Sequence, residues 1–548
     1  MKRWLSSPLF PIVAAVATLA PFARKAFNVD DPLFLWTARQ ILQDPARFYD
    51  FNVNWYGWDM PMAEVLKNPP GVSYYLALVG GLAGWGEVPI HLALLLPAGL
   101  VAWGTFALSR ELNADPVVAS LATIFTPAFL VSGTNVMSDM SMAAGWIWAL
   151  WLWVRGVRSK RMGWLIGAGL VASMAMLTKY FALALVGLFI AYAWSATGRR
   201  VGRWIVPACF PLLALAGFES WTKAVYGRAL FFDAAAYATK FSAPELFSQG
   251  VTGLAFAGGA ALTVLFYGPL LWSRRSLAAL LAVVSALLVG VGIHGELAGA
   301  AVRSATDLRW ELLVQLAFFV FAGASLLGLA ITDFRRSRDA ASLLLLLWVI
   351  GTFVFACFIN WSINLRSMLP LVPAAGILIA RRVACRKQDA RRLLPLIPGV
   401  VVALLVGASD YAWANSAREA ANRVHAAWGD GSVQVWFQGH WGFQWYMQEY
   451  GHRPFDFKRP GIAPGDVIVL PTNNTNVRGL NPRVAKPLPD IDVATHGWAS
   501  TMNLAVGAGC YSHIKAPLPF AFGVTRPERY FLRAATRPFE GRSLEVGE

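Results

Sequence analysis

Two adjacent carboxylates, Asp30 and Asp31, stand just past the first apolar run of the chain, at its outer mouth. A carboxylate at such a water-exposed position can take a proton from an acceptor hydroxyl, or hold that hydroxyl in line for attack. Two side by side can divide the labour, and Asp30 is the expected base. The structural alternative is that Asp31-Pro32 opens an interfacial helix with Asp30 solvated beside it. Asp139, in Ser138-Asp139-Met140, opens a later apolar run, where an acidic residue also suits the helix dipole. Lys179 follows Leu177-Thr178 at an outward turn; it is a point charge suited to a phosphate oxygen, or a lysine snorkelling to the interface. Arg366 sits at the outward start of a run against the charge trend of its side. Its guanidinium fork fits a phosphate at two points and would meet charge developing on a leaving phosphate; pairing with a nearby carboxylate is the alternative. Lys67, ahead of Asn68-Pro69-Pro70-Gly71, is either a second cation for a lipid phosphate or an interfacial anchor paired with Glu64. Charge beside a bilayer is costly and rarely kept without a role. The set points to chemistry on a charged lipid at a membrane surface.

The elements that must position these residues are mostly apolar. Of 548 residues, 57% are hydrophobic and 14% charged, against about 25% charged in a soluble domain. The chain therefore reads as polytopic. Its net charge of +16 falls in short loops between apolar runs, as orientation determinants do. No basic stripe with interleaved aromatics appears, which argues against nucleic acid as a partner. Lys2-Arg3 before the run Pro8 to Phe22 reads as a retained anchor, since no small-residue cleavage site ends it. Cys209, Cys357, Cys385 and Cys510 are placed neither for an exported disulfide nor at metal-ligand spacing.

A span needs roughly 20 apolar residues. The runs fall near 8–24, 89–109, 116–133, 140–155, 162–177, 180–196, 204–219, 250–272, 276–293, 311–332, 341–358, 366–382 and 393–409. The stretch Val72 to Trp85 decides the topology. Taken as a re-entrant or interfacial hairpin, it leaves the basic clusters on one side with the N-terminus inside. The expectation is thus an all-α polytopic fold with about 13 transmembrane helices. Residues 1–410 form the membrane catalytic domain and 27–88 its exported first loop. That loop is rich in Trp, Tyr and Phe, and Phe34-Leu35-Trp36 with Ile41-Leu42 has the spacing of a short interfacial helix. Residues 411–548 turn polar and rich in Pro and Gly. They read as a small α/β or mostly β extracytoplasmic domain, with strand-like runs at Ser432–Phe437 and Asp466–Leu470 and a loop over Pro482 to Pro489. Within it, Gln438-Gly439-His440-Trp441-Gly442-Phe443-Gln444-Trp445-Tyr446 reads as a core segment with a helix start, or alternatively as a donor or acceptor contact. His440 lacks partners at metal-ligand spacing.

At these residues the chain resembles the GT-C glycosyltransferases, in particular bacterial relatives of the protein O-mannosyltransferases and the lipid A aminoarabinose transferase. The resemblance rests on Asp30-Asp31 after the first run, and on Asn68-Pro69-Pro70 before Tyr74-Tyr75-Leu76. It rests also on Asp139, on the Leu-Thr-Lys turn at Lys179, and on Arg366 followed by Pro370 and Pro373. It covers about the first 410 residues. It implies a polyprenyl-phosphate-linked sugar donor and inverting transfer to a lipid, glycan or protein acceptor, with an acidic first-loop residue activating that acceptor. It further implies a bacterial inner membrane location with the site and the tail facing the periplasm. The expected roles are Asp30 as base, Asp31 and Asp139 as positioning groups, and Lys179, Arg366 and Lys67 on the donor phosphate. No cofactor is required, although some superfamily members use a divalent cation. The chain departs from the pattern in having Asp31 where Glu is commoner, and Asn68 where His or Lys usually precedes the Pro pair. Lys67 therefore stands one residue away from the cation of the aminoarabinose enzymes. The alternative is a transporter or flippase of a lipid-linked glycan, which would need charges within spans or an inverted repeat; neither is present in the sequence. An envelope assembly scaffold is the third reading.

Overall fold

A computed structural model describes residues 7–240, 245–303, 307–384, 390–459 and 461–539. Lys2, Arg3, Cys385, Arg386 and Lys387 lie outside them. A helix occupies each of the apolar runs read above, and among the described residues five are long and apolar enough to cross a membrane: Glu87–Glu111, Arg274–His294, Trp310–Ser337, Ala340–Ile359 and Arg391–Trp428. There are up to 7 if each bent pair is one span. Pro116–Ile124 with Pro127–Gly133 bends by 64°, and Leu246–Ala260 with Thr263–Leu271 by 89°. Each bend has a chemical cause or seal. Thr126 caps the second half of the first pair, its hydroxyl accepting from the Phe129 N–H at 3.3 Å, and Pro127 at the first helical turn lacks the donor a continuous helix would use. The Thr263 hydroxyl donates to the Ala122 carbonyl at 3.1 Å, tying the two breaks together inside the bundle. Several other helices, such as Leu9–Leu19 and Met162–Met176, are short. The structure is thus mainly helical and multi-pass, without fixing the count at 13.

The stretch from Val72 forms one 13-residue helix, Gly71–Ala83, rather than a hairpin. It packs on the helix Asp31–Gln43, which covers the interfacial segment expected from Phe34-Leu35-Trp36. Helices Leu246–Ala260 and Trp310–Ser337 lie so close that a methyl at Gly258 or Gly323 would overlap facing backbone, the small-residue contact that lets apolar helices gain dispersion in lipid.

The helix Leu396–Trp428 runs on through Asp410 for 33 residues and leads into a six-stranded sheet. Val435–Phe437 pairs in parallel with both Arg453–Pro454 and Val467–Pro471, and helix Trp441–Glu449 makes the crossover, as a parallel pair requires. Glu528–Ala535 then runs antiparallel to Val467–Pro471, Ala485–Pro487 and Ile491–Val493. Ala485–Pro487 corrects the loop expected over Pro482 to Pro489. Its Pro ends the strand, where the missing N–H costs no ladder bond.

Candidate active site

Asp30 precedes the first turn of helix Asp31–Gln43, and the backbone leading into it is forced. Val29 has φ +45°, a left-handed conformation that a β-branched side chain adopts only when its surroundings impose it. Asp31 imposes part of it. Its buried carboxylate accepts from the Asn28 N–H and from the Val136 N–H, each at 2.8 Å. The first bond closes the 28–31 turn. The second fastens that turn to the segment entering helix Ser138–Ser159, which carries Asp139. Burial pushes the Asp31 carboxyl up to about 7, against the pull of Lys25 and the two N–H groups. Asp31 therefore faces backbone behind the site, while the neighbouring Asp30 faces outward.

Four charged side chains meet in front of that turn. Arg366 Nη2 donates to Asp30 Oδ2 at 3.2 Å, and Arg366 Nη1 lies 3.7 Å from Asp139 Oδ2. Lys179 Nζ donates to Asp139 Oδ1 at 2.5 Å. The result is a continuous row Asp30–Arg366–Asp139–Lys179, drawn from four separate stretches of chain. Side-chain exposure grades along it: 34% for Asp30, 21% for Lys179, 12% for Arg366 and 2% for Asp139. Asp139 is thus the shared anchor of two cations, and Asp30 is the most accessible of the four. Arg366 Nε is buried with no hydrogen-bond partner among the described residues.

Each cation is held by its loop. Arg366 begins a short 3-10 turn, Arg366–Met368, in which Asn364 Oδ1 accepts from the Ser367 N–H at 2.8 Å. The loop ahead of it is bonded to the C-terminal region: the Leu365 N–H donates to the Cys510 carbonyl, and the His513 N–H to the Ile363 carbonyl, both at 2.8 Å. The Tyr511 ring lies 5.5 Å from the guanidinium carbon, a cation–π contact. The Leu177-Thr178-Lys179 turn meets the Pro69-Pro70-Gly71 turn directly, the Gly71 N–H donating to the Leu177 carbonyl at 2.9 Å.

Lys67 does not join the row. Its Nζ donates to the Glu64 carbonyl at 2.7 Å and stands 5.7 Å above the Tyr237 ring, and burial lowers its affinity for a proton. Its turn reaches the Lys179 turn, yet its ammonium points elsewhere. His440 lies further away, in the sheet region. Its Nε2 accepts from Asn476 Nδ2 at 2.8 Å, its ring stacks on Trp55 at 5.2 Å, and burial lowers its pKa to about 3. It is a neutral core histidine at physiological pH, and the segment around it forms core and helix start.

Behind the row is a second charge cluster that sequence reasoning missed. Lys25 and Asp410 form a fully buried pair at 2.5 Å. Lys25 also donates to Asn135 Oδ1 at 2.6 Å, while Asp410 accepts from the Thr501 hydroxyl at 2.8 Å and from the Tyr511 hydroxyl. Tyr511 therefore touches both clusters. The available signal was two opposite charges at the outer ends of the first and last apolar runs.

A divalent cation would need Asp30 and Asp139 turned towards each other, but one guanidinium stands between them. Among the described residues no three His, Cys, Asp or Glu side chains gather to hold a metal ion. The donor set does not fit one.

Residues 67–221 match the family described as dolichyl-phosphate-mannose-protein mannosyltransferase. No characterised protein matches over the sequence at a significant level. Among solved structures, the Archaeoglobus fulgidus oligosaccharyltransferase in the apo form aligns with a TM-score of 0.50 at 12% identity, covering 84% of this chain and 65% of that one. The same enzyme tethered with an acceptor peptide gives 0.49 at 11%, again covering 84% and 65%. ArnT from Cupriavidus metallidurans bound to undecaprenyl phosphate gives 0.43 at 14%, covering 85% of this chain and 93% of that one. The chain thus spans just under two thirds of the archaeal enzyme, and at these identities the likeness concerns the fold alone. The family match and the fold agree with the GT-C resemblance carried by the sequence motifs.

Proposed function

We propose that this chain is a membrane glycosyltransferase that moves a sugar from a polyprenyl-phosphate donor to a hydroxyl of an extracytoplasmic lipid, glycan or protein, with inversion at the anomeric carbon. The observation that carries the reading is the row Asp30–Arg366–Asp139–Lys179, two cations aligned by a buried carboxylate beside one accessible carboxylate. Asp30 accepts the proton as the acceptor oxygen forms its bond to the anomeric carbon. On the opposite face the bond from that carbon to the phosphate oxygen breaks, and the electron pair leaves with polyprenyl phosphate. Arg366 and Lys179 meet the charge gathering on the phosphate, in a site already organised before the reaction. Asp139 keeps the two cations a fixed distance apart, and Asp31 fixes the backbone of Asp30. Lys67 contributes at most to the donor's approach, since its ammonium is engaged at Glu64 and Tyr237.

The site and the C-terminal region face the periplasm in a bacterial inner membrane, since the basic loops between spans then stay inside. The test uses purified protein in proteoliposomes with a panel of polyprenyl-phosphate sugars and a membrane-extract acceptor pool. Release of free polyprenyl phosphate from one donor, with a product anomer opposite to that of the donor, is the expected result. A donor that crosses the bilayer unconsumed would overturn the reading in favour of a transporter, and no release from any donor would also overturn it.

A further inference from the structure

Five successive residues that lead to the reactive carboxylate, 24 to 28, are held by the C-terminal part of the chain. The Arg24 carbonyl accepts from Arg418 at 3.4 Å, Lys25 pairs with Asp410 at 2.5 Å, and the Ala26 N–H donates to Asn415 Oδ1 at 2.9 Å. The Phe27 N–H donates to the Tyr446 hydroxyl at 2.8 Å, and that hydroxyl donates to Glu87 Oε1 at 2.9 Å. Gly442 lies so close to the Phe27 carbonyl that a methyl there would overlap it and crowd the Asn28 Cα. The Phe27 ring is enclosed by Tyr446 and His91, both stacked, and by the edge of Trp445. After Phe27 the chain enters the strained Val29 and then Asp30.

Resting on the transferase reading above, we propose that helix Trp441–Glu449 sets the position of Asp30, with Tyr446 as the positioning residue acting through Phe27. A backbone conformation as unfavourable as that of Val29 persists only when flanking contacts over-determine it. On one side those contacts are the two N–H groups on Asp31; on the other they are Tyr446 and Gly442. The C-terminal region is then part of the active site's rear wall and not an appendage.

The test compares Tyr446→Phe with Tyr450→Phe, using the donor that wild type consumes. Tyr446→Phe keeps the ring stack and removes only the hydroxyl. Tyr450, at the end of the same helix, is exposed and donates its hydroxyl to Asn422 Oδ1 at 2.8 Å, so its substitution costs the same kind of bond away from Phe27. Misplacing a reacting group by about 1 Å costs up to roughly a hundredfold. Tyr446→Phe should therefore lower kcat about tenfold or more, leave the donor KM within about twofold, and shift the acidic limb of the pH–kcat profile. Tyr450→Phe should match wild type on all three. Equal behaviour of the two variants would overturn the proposal. If Tyr446→Phe does not fold, Glu87→Gln, which weakens the bond that orients the same hydroxyl, is read on the same scale, and a wild-type kcat and pH profile there would overturn it equally. Absence of donor consumption by wild type would instead sink the transferase reading itself.

Discussion

At Asp30 and Asp31 one chemical type is placed in two environments, and substitution should separate them. Asp31→Asn replaces one acceptor oxygen with a donor, so one of the two N–H groups from Asn28 and Val136 loses its partner. A buried unsatisfied donor costs about 1–3 kcal/mol, so this variant should unfold at lower temperature in detergent and lose activity together with stability. Asp30→Asn removes a half-exposed carboxylate bonded only to Arg366, so it should unfold within a degree or two of wild type and lose activity alone. Thermal unfolding followed by tryptophan fluorescence checks both, and equal melting shifts would refute the division of roles. At this scale the sequence was informative. Asp30, Asp139, Lys179 and Arg366 could be picked out because each is a charge at the end of an apolar run, Asp30 within an adjacent pair, where local context alone makes it costly. The ranking among them could not be read that way. Which carboxylate faces backbone and which faces substrate depends on Val136, 105 residues from Asp31.

At the scale of elements, the bent helices and the small sheet make the loops that carry the site. The runs of apolar residues mark where helices lie, because hydrophobicity over a span is a local quantity. The bend at 116–133 carries a helix-breaking Thr126-Pro127 step that a count of apolar residues passes over, and the bend at 246–271 is a short break inside a continuous apolar run. The strands Val435–Phe437 and Val467–Pro471 were visible as β-branched and aromatic runs, whereas Ala485–Pro487 is recruited to the sheet only by pairing with Glu528–Ala535. That last strand begins with a carboxylate in an apolar setting. Burial raises the Glu528 carboxyl from 4.5 to about 7, against one bond from Asn473 Nδ2 at 3.1 Å. A carboxyl whose folded pKa is raised binds its proton more tightly folded than unfolded, so its stabilising contribution is full below pH 4.5 and disappears as the pH climbs through 7. Glu528→Gln should therefore melt higher than wild type at pH 8, with the gap closing towards pH 5. A gap that is constant with pH would contradict the assignment.

Across the whole molecule, the buried pair Lys25–Asp410 joins residues 385 positions apart and ties the first helix to the last long one. Its sequence signal is no more than two opposite charges at the ends of the first and last apolar runs. Removing one partner of a buried pair leaves an uncompensated charge, at about 3–5 kcal/mol. Lys25→Met or Asp410→Leu alone should thus be severely destabilised, while the double variant should recover a large part of the loss. Expression level and melting temperature of the three proteins read this out; additive losses would show that the pair is not a coupled unit. The tail's polar composition had marked it as a region apart, yet its residues Cys510, Tyr511 and His513 hold the Arg366 loop and Tyr446 holds the segment before Asp30. On the proposed reading, this assembly presents one base and two aligned cations to a lipid-phosphate sugar. The most direct test of that reading measures donor binding and polyprenyl phosphate release side by side for wild type and Asp30→Asn. General-base catalysis contributes roughly a hundred- to ten-thousandfold, so release should fall by that factor while donor affinity stays within about twofold. Release that persists in Asp30→Asn, or that falls only as far as donor binding does, would contradict the account.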